Sequence, residues 1–158
     1  MRRIVSVGIA AVTLLSVGGV AGAAPPTKKA PVKLSGDVTN KGTGSVTNGA
    51  ADIEVNDFFF KKTFIKATKG KTVSVTVTNE GSNQHTFTID AQDVDETLDP
   101  GKSVTIDVEI PADGKPVAGY CRFHKGSGMK FAFFSKSGSK AKPSSTDDDS
   151  TTPGGYGY

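Results

Sequence analysis

Strict two-residue alternation of β-branched side chains most narrows what this chain can become. Thr72-Val73-Ser74-Val75-Thr76-Val77-Thr78 sets Val at every second position between hydroxyl residues. Ser103-Val104-Thr105-Ile106-Asp107-Val108-Glu109-Ile110 repeats the pattern, and so do His85-Thr86-Phe87-Thr88-Ile89 and Ile53-Glu54-Val55-Asn56, the last ahead of the aromatic run Phe58-Phe59-Phe60. Successive side chains of a strand point to opposite faces, so this period predicts half-buried strands. The residue types, Val, Ile, Thr and Phe, suit a pleated surface. Gly70, Asn79-Glu80-Gly81-Ser82-Asn83, Asp99-Pro100-Gly101 and Asp113-Gly114 punctuate the strands as turns. Residues 117–121 and 129–134 supply two further strands, and no segment sustains a helical period. About seven short strands at this spacing predict an all-β fold, an antiparallel β-sandwich. Its expected core is Val73, Val75, Val77, Phe87, Ile89, Val104, Ile106, Val108, Phe131 and Phe133.

The ends of the chain differ in character. Met1-Arg2-Arg3 precedes an apolar stretch over residues 4–20 and the small-residue triplet Ala21-Gly22-Ala23. This predicts a secretory signal peptide over residues 1–23, too short and too rich in Gly and Ala for a membrane anchor, with no transmembrane segment after cleavage. The expected location is secreted or extracytoplasmic, in the periplasm or cell envelope. Residues 24–50 are rich in Pro, Lys, Gly, Thr and Asn and are read as a flexible linker. Residues 51–135 form the expected folded domain. Residues 136–158, rich in Ser, Thr, Gly and Pro with an Asp147-Asp148-Asp149 run, are read as a disordered tail. The stretch from 51 to 134 carries 10 basic and 12 acidic residues. A nucleic-acid binder shows a dense basic patch, and none is present.

The chain has one Cys, two His and a single Met beyond Met1. An unpaired Cys in an oxidising compartment implies intermolecular pairing, a reactive thiol or a metal thiolate. Its company favours the metal. Cys121, His124 and Met129 lie within nine residues, and His85 starts a strand after a polar turn. A thiolate and two imidazoles with a weak thioether suit both oxidation states of copper, so one copper ion is expected on His85, Cys121, His124 and Met129. Zinc takes four tight ligands and has little use for Met. Gly126 and Gly128 are expected to let the ligand loop fold back. Catalytic residues are not expected: a multicopper oxidase needs many more His, and no triad, carboxylate pair or phosphate loop stands out.

With His85 at a strand start and Tyr120-Cys121-x2-His124-x4-Met129 after a Gly/Pro turn, the chain resembles the cupredoxins, the plastocyanin- and azurin-like small blue copper proteins. Phe60 to Gly70-Lys71-Thr72-Val73 and Asp99-Pro100-Gly101-Lys102-Ser103 are similar to the family's framing segments. The resemblance covers roughly residues 51–134. It implies a cupredoxin-like Greek-key β-sandwich and a monomeric one-electron carrier acting between redox partner proteins, membrane-bound ones among the candidates. The alternative is a protein that holds or delivers copper without an electron-carrier role. It also implies that His124 is the exit for the electron, with Phe123, Met129 and residues 126–128 forming a docking surface. Arg122, Lys125 and Lys130 would supply a positive rim for an acidic partner or membrane surface. Two departures stand out. Lys130-Phe131-Ala132 follows Met129 where many relatives have Gly. Phe123 stands where plastocyanin has Pro, so the Phe123 and Thr86 amides are both expected to donate to the Cys121 thiolate and raise the reduction potential.

Overall fold

The two segments with the strictest alternation lie side by side. The computed structural model describes residues 29–136 and 140–141. In it β5 (Thr72–Asn79) pairs antiparallel with β8 (Ser103–Glu109), Val75 opposite Ile106 and Val77 opposite Val104. The hydroxyl residues between them meet on the other face, Thr76 with Thr105 at 3.3 Å and Thr78 with Ser103 at 2.9 Å. Such cross-strand pairs on both faces fix the register. β2 (Ala50–Asn56) lies on the far side of β5, and β3 (Phe59–Lys61) folds back on β2, giving a four-stranded sheet of order β3-β2-β5-β8.

The second sheet has six strands in the order β1-β4-β10-β9-β6-β7. They are β1 (Thr43–Ser45), β4 (Phe64–Lys66), β10 (Lys130–Phe134), β9 (Val117–Tyr120), β6 (His85–Ile89) and β7 (Val94–Leu98). The all-β sandwich is as expected, but among the described residues its strands number ten and not about seven. β1, β3 and β4 are three residues long, too short to show a period, and β7 is a largely exposed sheet edge. The pairing is also mixed where an antiparallel arrangement was expected: β2 runs parallel to β5, and β4 parallel to both β1 and β10.

Apolar faces of the two sheets make one core. Of the ten expected core residues, all are buried except Val104 and Ile106, half-buried because β8 is an edge strand. Phe87 of β6 stacks on Phe131 of β10 at 4.4 Å, and Phe60 of β3 meets Phe131 edge-on at 4.7 Å across the sandwich. Gly119 makes room for this cluster. A Cβ there would collide with the Phe131 ring and stand 2.6 Å from the Thr88 carbonyl oxygen.

The linker expected over residues 24–50 is partly built into the fold. Val32, fully buried, packs with Leu34 and Val38 against Phe64, Ala132 and Phe134, and residues 43–45 form β1. Three scattered apolar residues are too sparse to register as a period, yet they cover the outer face of β10. The Thr39 amide donates to the Gly128 carbonyl at 2.8 Å and the Lys130 ammonium to that of Ser35 at 2.7 Å, so this strap grips the loop preceding β10. The expected signal peptide (1–23) and most of the expected tail (136–158) lie outside the described residues, though Lys140 bridges Lys33. Among the described residues no helix is long and apolar enough to cross a membrane.

If the strap is integral, Val32→Ala removes about two buried methylene equivalents and leaves a cavity, a cost of about 2 kcal/mol. A denaturant melt should register that loss; a solvated linker would leave the midpoint unchanged.

Candidate metal centre

One end of the sandwich is where β6 begins and where β9 passes into β10. His85 is the first residue of β6, and a fully buried Asn79 builds the turn before it. The Asn79 side chain donates to the carbonyls of Asn83 (2.8 Å) and Leu98 (2.9 Å) and accepts from the Gly81 amide (2.9 Å). All of its main hydrogen-bonding capacity is used, as burial demands. Cys121 directly follows β9. The Cys121 amide donates to the Met129 carbonyl at 3.0 Å, and the His124 and Met129 amides donate to the Cys121 and His124 carbonyls at 3.1 and 3.2 Å. These bonds wind residues 121–129 into a tight loop. Gly128 closes it with φ +81°, a left-handed conformation that favours Gly; Gly126 takes no such conformation, so only one of the two expected glycines is used for its freedom.

Three side chains meet there. Cys121 Sγ is 3.7 Å from His85 Nδ1 and 3.4 Å from His124 Nδ1, and the two nitrogens are 3.2 Å apart. His85 and Cys121 are completely buried and His124 is half-buried. Met129 is completely buried in the same apolar cluster as Cys121. Three lone-pair atoms crowded in an apolar pocket suit a soft or borderline transition ion and not an oxygen-seeking cation. Their spacing also fits. Bonds of about 2.0 Å to nitrogen and 2.3 Å to sulfur set ligand atoms roughly 3.3–3.8 Å apart for angles between tetrahedral and trigonal.

The surroundings orient these atoms. The Thr86 amide donates to Cys121 Sγ at 3.3 Å, one of the two expected amide–sulfur bonds. The other is absent: the Phe123 amide makes no hydrogen bond to Sγ, because the loop winds through the His124 and Met129 amides instead. Thr86 clamps the loop a second time, its hydroxyl oxygen accepting from the Arg122 amide at 2.7 Å. The Thr88 hydroxyl donates to Asp95 at 2.8 Å, so it must accept from the Thr86 hydroxyl 3.0 Å away. Asp95 also pairs with the Arg122 guanidinium, which closes the circuit. Both buried threonines of β6 are thereby satisfied.

Two residues at this end carry no mark in the ligand pattern. Asp57, in the turn between β2 and β3, places Oδ1 3.0 Å from His85 Nε2. The Ser82 amide, then the His85 ring, hold its carboxyl well below the usual carboxylate range, outweighing desolvation. Phe58 lies edge-on to the His124 ring at 4.6 Å. Phe58 (44% exposed) and Phe123 (49%) are the exposed large apolar side chains among the described residues, and both flank His124. Phe58 lies in the turn before β3, where alternation does not apply: read as a strand, it would share the face of the buried Phe60, so no local pattern marks either Phe58 or Asp57. Burial, and next the neighbouring His85, push the His124 imidazole below its usual range, against a weaker upward pull from Asp57. That favours the neutral form a metal requires.

The expected docking surface needs correction. Met129 is buried and cannot line it. The expected positive rim is engaged by the chain itself: Arg122 with Asp95, Lys125 over the Tyr120 ring at 4.5 Å, and Lys130 with the Ser35 carbonyl.

A family model described as a cupredoxin-like domain matches residues 38–130. No curated protein matches the chain by sequence. Among solved structures the chain is similar to an auracyanin from the photosynthetic bacterium Roseiflexus castenholzii (18% identity, TM-score 0.46, 61% of this chain and 98% of that one). It is similar to auracyanin A of Chloroflexus aurantiacus, described as a blue copper protein (14%, 0.44, 55% and 99%). It is also similar to the metal-binding domain of a Cu(I)-exporting P-type ATPase of Streptococcus pneumoniae D39 (12%, 0.49, 61% and 98%).

Thr86→Val keeps the amide–sulfur bond and deletes the acceptor for the Arg122 amide. A partly buried donor left unpaired costs about 1–3 kcal/mol. The metal-free variant should melt correspondingly earlier in denaturant; unaltered stability would show the hydroxyl circuit to be idle.

Proposed function

This chain belongs to the cupredoxin-like family, and from that premise we propose that it holds one copper ion through His85, Cys121, His124 and Met129 and carries single electrons between redox partner proteins outside the cytoplasm. Copper is the metal of this family. The observation that carries the reading is the convergence of one thiol sulfur and two imidazole nitrogens, from a strand and a loop 36 residues apart, with His85 and Cys121 fully buried and His124 half-buried.

Copper bound there supplies one-electron chemistry by changing between Cu(I) and Cu(II). The protein's part is to keep its ligands still. Cys121 would hold the ion as a thiolate, His85 and His124 as imidazoles, and Met129 as a weak thioether. Because β6 and the loop are pinned by Asn79, by the Thr86–Thr88–Asp95–Arg122 circuit and by the strap, a change of charge meets a frame with little freedom to relax. The Thr86 amide favours the reduced ion by drawing electron density from the sulfur.

His124, the half-buried ligand, is the route for the electron. The exposed Phe58 and Phe123 beside it form a small apolar docking face, one that a partner can cover without displacing charge. Such a face suits a carrier with transient partners, not an enzyme. The extracytoplasmic setting rests on the signal-like residues 1–23.

Adding Cu(II) to the metal-free mature chain should develop an intense thiolate-to-copper band in the visible spectrum, lost in Cys121→Ser. Voltammetry should then give a reversible one-electron wave at constant copper content. No band would refute copper binding at this thiol; loss of the ion to an acceptor protein, without a reversible wave, would make this a delivery protein.

A further inference from the structure

Resting on the copper reading above, we infer that Asp57 is a positioning residue of the metal centre: its carboxylate fixes His85 in the tautomer that leaves Nδ1 free for the ion, and through that imidazole favours Cu(II) over Cu(I).

An ionised carboxylate only accepts hydrogen bonds, so His85 Nε2, 3.0 Å from Asp57 Oδ1, must donate. A neutral imidazole has one N–H. Its Nδ1 then carries a lone pair, and this is the atom facing Cys121 Sγ at 3.7 Å and His124 Nδ1 at 3.2 Å. Without Asp57 either nitrogen could hold the proton, and the wrong choice would block the ligand site. The bond lies against a completely buried ring, which limits screening on that side.

The loop before His85 is shaped around this carboxylate. The Ser82 amide donates to Oδ1 at 3.2 Å and Oδ2 at 3.0 Å, and the Asn83 amide to Oδ1 at 3.2 Å. Gly81 is part of the same fit: a methyl group there would collide with Oδ1. Asp57 sits in the β2–β3 turn of the four-stranded sheet and His85 in the six-stranded one, so the contact also ties the two sheets at the metal end. A carboxylate bonded to a ligating His raises the ligand's donor strength. Its charge stabilises the more positive oxidation state. Asp57 thus acts against the Thr86 amide, and the two set the balance between Cu(I) and Cu(II) from opposite sides.

The test uses the mature chain. In Asp57→Asn the amide oxygen can keep the bond to Nε2–H while the charge is lost. The wild-type and variant proteins should both show the thiolate–copper band. The variant's ratio of Cu(II) to Cu(I) affinity should fall about tenfold, a rise in potential of about 59 mV for one electron. Gly81→Ala, which displaces the carboxylate while leaving it in the chain, should raise the potential in the same direction. In the metal-free wild type, nitrogen NMR should find the His85 proton on Nε2, and in Asp57→Ala that preference should be lost. If both variants keep their band with an unchanged or lowered potential, or the metal-free wild type carries its proton on Nδ1, the inference is overturned while the copper reading stands. If the wild type itself shows no band, both fall together.

Discussion

The metal end depends on the stacking of Phe87 on Phe131. β6 and β9 are neighbours in the six-stranded sheet, yet they share a single residue pair, Thr88 with Tyr120. Backbone hydrogen bonding alone holds His85 only loosely beside Cys121. The rings add a second tie: Phe87, two residues after His85, lies against Phe131, two residues after Met129, and Phe60 closes over both from the opposite sheet. Large aromatic side chains contribute both buried area and preferred geometry, which is what a locating contact needs. Gly119 is the complement of that cluster, since any side chain there would push the rings or Thr88 away.

A frame of this kind tolerates an arrangement that is unfavourable in itself. Three atoms with lone pairs face one another within hydrogen-bonding distance in an apolar pocket. Each is turned inward by an outside partner or by the backbone. Asp57 holds one end of His85, the Thr86 amide meets the sulfur, and the loop's own amide bonds set Cys121 and His124. Polar groups that would be costly to bury unpaired are here bonded in series, and the series runs from the loop through Thr86 and Thr88 to the sheet edge at Asp95. Rigidity at the site and satisfaction of buried polar atoms are therefore the same feature.

The outer surface follows a different logic. The cations beside the ligand loop are occupied by internal partners, and the exposed features nearest His124 are two phenyl rings. Weak, rapidly dissociating contact with a partner calls for a small area without deeply committed charges. The strap formed by residues 32–39 braces the end of the ligand loop by bonding to Gly128 and to Lys130. Segments that look compositionally like linkers can thus serve as walls when a few apolar residues find a groove.

Much of this protein is legible in its amino-acid order alone. Period-two alternation in residues 72–78 and 103–110 is enough for a sandwich, because burial of one face imposes that pattern on any half-covered strand. The four proposed ligands stand out because one Cys, two His and one Met have few other uses together. What the chain cannot announce is anything that depends on distance through space. Parallel pairing of β2 with β5 comes from how strands cross between sheets. The missing bond from the Phe123 amide comes from how one loop winds. Asp57 meets His85 only because a turn of one sheet closes over the first residue of a strand in the other. Local pattern determines which side chains are buried, since that is set by the strand's own geometry; tertiary packing decides which buried groups touch, since that is set by the shapes of both sheets at once.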